Sequence, residues 1–169
     1  MKKIILIITL LVVGVFGQEN RLKTSVSLIR LDNNTLEANV TFQNISDKPL
    51  RIYFIESPVF NSFQSMFHVG HADGSIEFIV SDPHPHGISV DASDFHLIDA
   101  NKSKTFTQKL DNIELRLKTK PTKLIWVYVN DVTKWEGGRS TLDGPTKELF
   151  DGKEIPYIWT GEVRASTKL

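Results

Sequence analysis

No cysteine occurs anywhere in the 169 residues. That excludes disulfides, thiolate nucleophiles, thiolate metal ligands and lipidation on a new N-terminal cysteine. An excess of one charge is also missing, because 20 Lys and Arg face 20 Asp and Glu. A nucleic-acid binder normally carries a basic surplus to neutralise phosphates, and no basic stripe runs along this chain, so no nucleic-acid partner is expected. The HExxH helix of zinc proteases and the G-x-S-x-G elbow of serine hydrolases are both absent. Serine triads and glycosidase carboxylate pairs are set by geometry, and no residue here is marked out for either role by its spacing. The expectation is a protein that is not an enzyme and carries no cofactor.

Long apolar runs are scarce as well, with one exception. The chain opens MKKIILIITLLVVGVFGQEN, in which two lysines precede an apolar or small run from Ile4 to Gly17. The run is short for a membrane span of about 20 residues. A basic start, a short apolar centre and a small residue before polar sequence is the pattern of a secretory signal. Residues 1–17 are therefore expected to be a signal peptide cleaved after Gly17, with Val15 and Gly17 in the small-residue positions. Residues 18–169 are expected to form a single domain with no membrane span. A cysteine-free secreted domain must rely on its core alone, which points to a bacterial protein of the periplasm or the extracellular space.

What is present is alternation. In LEANVTFQN, Leu36, Ala38, Val40 and Phe42 face one way and Glu37, Asn39, Thr41 and Gln43 the other, the period of a strand with one buried face. The same pattern predicts strands over 24–31, 50–55, 65–70, 75–80, 95–98, 104–110, 122–130 and 157–165. In the last, Tyr157, Trp159, Val163 and Ala165 are expected on one face. Thr122–Asn130 is β-branched and aromatic on both faces, as a central strand buried on two sides would be. His71-Ala72-Asp73-Gly74 reads as a hairpin turn in which Gly74 takes positive φ. No convincing helix is expected beyond a turn or two at 146–150. About seven to nine short strands predict an all-β antiparallel sandwich of two sheets, immunoglobulin-like, with two long loops at 81–94 and 131–156. Asn-x-Ser/Thr triplets begin at Asn33, Asn39, Asn44 and Asn101, and are read as strand and turn chemistry rather than glycan sites.

Candidate functional residues are few. All five histidines lie between His68 and His96. His84 and His86, in SDPHPHGISVDASDFH, would project to the same side of an extended segment. A metal would need His84 and His86 joined by His68, His71 or His96, since two ligands do not close a coordination shell. The bland alternative is a solvated loop whose histidines do nothing. His68 and His96 fall on the polar faces of predicted strands. Trp126 and Trp159 read as core, whereas Trp135, on a glycine-rich stretch, is a candidate anchor for a partner or a sugar, the alternative being that it packs back over the sheet edge.

The segments VTFQNISDKPLRIYFIESPVF, MFHVGHADGSIEFIV and DFHLIDANKSKTFTQKLDNIE carry a resemblance. Together with Trp159-Thr160-Gly161-Glu162-Val163, they resemble the immunoglobulin-like region ahead of some bacterial deuterolysin-type metalloproteases. The likeness covers roughly residues 35–165 and mostly encodes strand and turn requirements. The protease half is missing, so no proteolytic activity carries over. The resemblance implies a sandwich with a binding, structural or accessory role, and 81–94 as a connection between strands. The same strand grammar is similar to small bacterial sandwich proteins that inhibit proteases through loops at one end. The expected function is thus a non-catalytic exported module that binds another envelope or extracellular protein. Protease inhibition and metal binding through the histidine-rich loop are the alternatives.

Overall fold

The computed structural model describes residues 21–30, 35–55, 65–79, 92–111, 121–133 and 154–169. The signal segment, His84, His86, Trp135 and the stretch 146–150 lie outside the described residues. Among the described residues the fold is all-β, with nine strands and no α-helix. The strands are β1 (Leu22–Arg30), β2 (Thr35–Asn44), β3 (Leu50–Tyr53), β4 (Ser65–Gly70), β5 (Ile76–Phe78), β6 (Phe95–Ile98), β7 (Ser103–Asp111), β8 (Lys123–Asn130) and β9 (Gly161–Lys168). One 3₁₀ turn, Ala92–Asp94, leads into β6.

Alternation places the layers. β1, β2 and β7 form one antiparallel sheet, and β5, β4, β8 and β9 another. In the first, Val26, Val40 and Phe106 stand in register across three strands, and all are buried. In the second, Phe67, Trp126 and Ala165 do the same across β4, β8 and β9. These two faces meet in the core. Phe42 of β2 joins them, its ring edge-on to Phe54, Phe106, Trp126 and Tyr128 at centroid distances of 4.9–5.8 Å. Edge-to-face packing suits the quadrupole of each ring and adds to the gain from burial. A buried polar chain crosses the same gap: Trp126 Nε1–H donates to Ser65 Oγ (2.8 Å), and Ser65 Oγ to Gln108 Oε1 (3.3 Å).

The structure departs from the sequence reading in three places. Two sheets are expected, but among the described residues β3 and β6 pair as a third, two-stranded ribbon, joined beyond itself by one isolated parallel bridge from Arg51 to Ile158. It covers a small core of its own built from Tyr53, Phe95 and Ile155. Second, β8 is central and its inward residues Leu124, Trp126, Tyr128 and Asn130 are buried, yet on the outer face only Val127 is buried while Ile125 and Val129 are half-buried. Third, the last strand starts at Gly161 rather than at residue 157. Tyr157 takes φ 62° and is 61% exposed, so it does not join Trp159, Val163 and Ala165 on the buried face.

Two turns show how composition sets direction. Gly74 takes φ 86° in the His71–Ser75 hairpin, a conformation that disfavours a Cβ, and Asp73 Oδ1 accepts from the Ser75 amide and hydroxyl. Between β6 and β7, Asn101 takes φ 58° while the Lys102 amide closes the turn on the Asp99 carbonyl (3.1 Å). Asparagine tolerates this region better than most side chains.

Candidate functional site

The three described histidines each occupy a separate place. His96 on β6 stands between two fixed partners. Its Nδ1 lies 2.8 Å from Lys104 Nζ and its Nε2 2.8 Å from the Phe54 carbonyl. An ammonium can only donate and a carbonyl can only accept. Nδ1 therefore accepts, Nε2 carries the proton, and neither nitrogen offers a lone pair to a metal. The ring also packs on Phe106 (4.7 Å). His71 is buried in the β4–β5 turn with Nε2 3.5 Å from Glu77 Oε2. His68 lies on the outer face of β4 against the Phe78 ring (5.2 Å). Burial, reinforced by the nearby Arg164 charge, holds His68 below the usual histidine range. Among the described residues no three His, Asp or Glu side chains converge as metal ligands.

A different place has the shape of a site. Where the start of β1, the β2–β3 turn and the chain ahead of β9 meet, a hollow of about 370 Å³ opens to solvent. Leu50, Ile158 and Trp159 give it an apolar floor, and Arg21, Lys48 and Tyr157 stand around it. This volume falls in the range of ordinary ligand pockets, roughly 300–1,000 Å³.

Its frame is fastened by backbone bonds and by two buried asparagine side chains. Asn44 ends β2 with its side chain fully buried. Its Nδ2 donates to the carbonyls of Lys48 (2.8 Å), Ile98 (3.0 Å) and Asp99 (3.1 Å). Its Oδ1 accepts from the Ser46 amide and hydroxyl. Ile45, the next residue, donates its amide to the Arg21 carbonyl (2.8 Å). One corner thus fixes the backbones that carry both cations. The opposite wall hangs on β3: the Arg51 amide donates to the Tyr157 carbonyl, and the Trp159 amide to the Arg51 carbonyl, both at 2.8 Å. Asn130 Nδ2 holds the Trp159 carbonyl from below (2.6 Å).

Tyr157 is the unusual member. A β-carbon at φ 62° meets its own backbone, costing about 1–2 kcal/mol. Ile155 and Trp159 on either side are buried, and the turn they enforce throws the tyrosine ring outward. The sequence reading counted Tyr157 with the core face and treated Lys48 and Pro49 only as turn residues. Pro156 already bounds the predicted strand, and no local signal gives the positive φ of the tyrosine that follows it. The hollow itself draws on residues far apart in the chain, and no local pattern announces it. No protein-family model, no curated protein and no solved structure matches the chain.

Proposed function

We propose that this chain is a non-catalytic, exported binding or accessory module, an immunoglobulin-like sandwich that engages another protein of the envelope or extracellular space. The observation that carries the reading is the open hollow rimmed by Arg21, Lys48 and Tyr157. Its walls are tied by backbone hydrogen bonds, so it is held ready before any ligand arrives. A preorganised, partly apolar hollow with an exposed aromatic at its rim suits recognition, because little ordering remains to be done on binding. The strand and turn pattern of the sequence resembles the region ahead of deuterolysin-type proteases, and an accessory role is what that resemblance implies.

The test uses the exported protein immobilised on resin and an envelope extract of the cells that make it. The expected result is reversible, saturable retention of one protein species, whose mass is unchanged after prolonged contact. Retention that never saturates, or cleavage of the retained protein, would remove this reading. Potent inhibition of a purified protease would replace it with the inhibitor alternative.

A further inference from the structure

Resting on the reading of this chain as exported, we propose that Asn101 is the acceptor of an N-linked glycan. Asn-x-Ser/Thr is the triplet on which a glycan is carried by the asparagine amide nitrogen. Among the described residues such triplets begin at Asn39, Asn44 and Asn101. The sequence reads them all as strand and turn chemistry, yet the fold sets them in different situations. Asn44 is fully buried, and its Nδ2 serves three carbonyls. A glycan would take one of its two amide hydrogens and would need space that the core fills. Asn39 lies midway along β2, paired with Ser27 on one side and Thr107 on the other, and its Oδ1 accepts from Thr107. A transferase cannot draw that backbone into its own cleft without opening a central strand, which costs much of the stability of the fold.

Asn101 differs on each count. It stands at the tip of the β6–β7 hairpin, and Asp99, Asn101, Lys102 and Ser103 are all exposed. Asn101 serves the turn through its backbone, at φ 58°, and the Lys102 amide closes the turn on the Asp99 carbonyl. The amide and the hydroxyl that the triplet requires thus both belong to exposed residues on a surface turn, where an enzyme can reach them in the folded chain. Asp99 adds an acidic residue two places ahead, a feature that many bacterial oligosaccharyl transferases read along with the triplet. In the transfer, Asn101 Nδ2 bonds to the anomeric carbon of a glycan held on a lipid pyrophosphate. The bond from that carbon to the pyrophosphate oxygen breaks, its electron pair leaves with the lipid pyrophosphate, and the amide gives up one proton. Because Asn44 Nδ2 joins the carbonyls of Asp99 and Lys48, the sugar stands beside the rim of the hollow.

The test is the mass of the exported protein, purified from the cells that make it, with the modified residue located by fragmentation. The expected mass exceeds that of the bare polypeptide by one glycan, carried on Asn101. N101D and S103A should each return to the bare mass and keep the wild-type melting temperature, because aspartate also tolerates the left-handed region and Ser103 is exposed. S103T should keep the glycan, since threonine supplies the same hydroxyl. A bare wild-type mass, a glycan found only on another residue, or a glycan that survives S103A would each overturn the assignment. A bare chain that begins at residue 18 would remove the glycan and leave the export reading standing. A bare chain found in the cytoplasm with residues 1–17 attached would remove both.

Discussion

Asn44 uses its whole hydrogen-bonding capacity inside the fold. Three carbonyls take its two amide hydrogens, and its oxygen takes two donors from Ser46. Asn44→Ala would strip partners from a corner that is already dry, and each buried polar group left unpaired costs about 1–3 kcal/mol. Chemical denaturation should show a loss of about 3 kcal/mol or more, since several groups are orphaned at once. Asn44→Asp should be worse, because it turns a carboxylate oxygen toward those carbonyls. A loss below about 0.5 kcal/mol, the size of an ordinary surface change, would show that the corner is not structural. The triplet Asn44-Ile45-Ser46 reads in the sequence as turn chemistry, and in the fold Asn44 bonds to Lys48 and Ser46 across the β2–β3 turn. Asn39 also works within the sheet, accepting from Thr107 Oγ1 at 2.7 Å. The histidines were legible as residues but not as roles. Nothing in DFHLI says that His96 will find Lys104 on one side and a carbonyl on the other, because the carbonyl follows the paired strand β3 and Lys104 comes from β7 of a different sheet.

Strands were legible wherever one face is buried and the other wet. β1, β2, β4, β6, β7 and β8 lie within a residue or two of their predicted bounds, since period-two burial is written directly in side-chain type. The third sheet was not legible, because alternation tells which face is buried and not which strand is the neighbour. The end of the chain misled for a related reason. Tyr157 and Trp159 keep the right parity for a strand, but Pro156 and the left-handed turn rotate one of them out of the core. β5 has only three residues, the middle one half-buried and its flanking Ile76 and Phe78 exposed. Among the described residues it forms one edge of its sheet, and an exposed apolar edge is an invitation to pair with another chain. Ile76 is 61% exposed, so replacing it removes little packing. Ile76→Lys should leave the melting temperature unchanged, with a stability change within about 0.5 kcal/mol. It should also slow aggregation on heating, measured by light scattering. Unchanged scattering would show that association starts elsewhere.

The whole molecule has neither a disulfide nor a charge imbalance to lean on, so its stability rests on how the layers are joined. Tyr128 makes one of those joints. From β8 its hydroxyl donates to the Tyr53 carbonyl (2.8 Å) and accepts from the Tyr53 amide (3.2 Å), tying the four-stranded sheet to the β3–β6 ribbon. Burial pushes the Tyr128 hydroxyl well above the usual tyrosine range. Burial, with the Asp94 charge behind it, pushes Tyr53 up to about 12. Both folded-state values are raised, so the folded chain holds these protons where the unfolded chain releases them. Their contribution is therefore complete below about pH 10, where unfolded tyrosine ionises, and is lost as pH climbs from there toward 12 for Tyr53 and beyond it for Tyr128. Each protonated tyrosine adds a slope of up to about 1.4 kcal/mol per pH unit, so two of them make alkaline unfolding steep. Tyr128→Phe separates the two effects. At pH 7 it should cost about 2 kcal/mol by orphaning the Tyr53 backbone groups. Above pH 10 it should also flatten the decline by about half, because one of the two retained protons is gone. Urea titrations of both proteins at pH 7, 9, 10 and 11, each value given to about 0.1, supply the comparison. Parallel declines for the wild type and Tyr128→Phe would mean that other groups carry the alkaline limb. A flat wild-type profile to pH 11 would mean that the sheet-to-ribbon joint opens before it titrates.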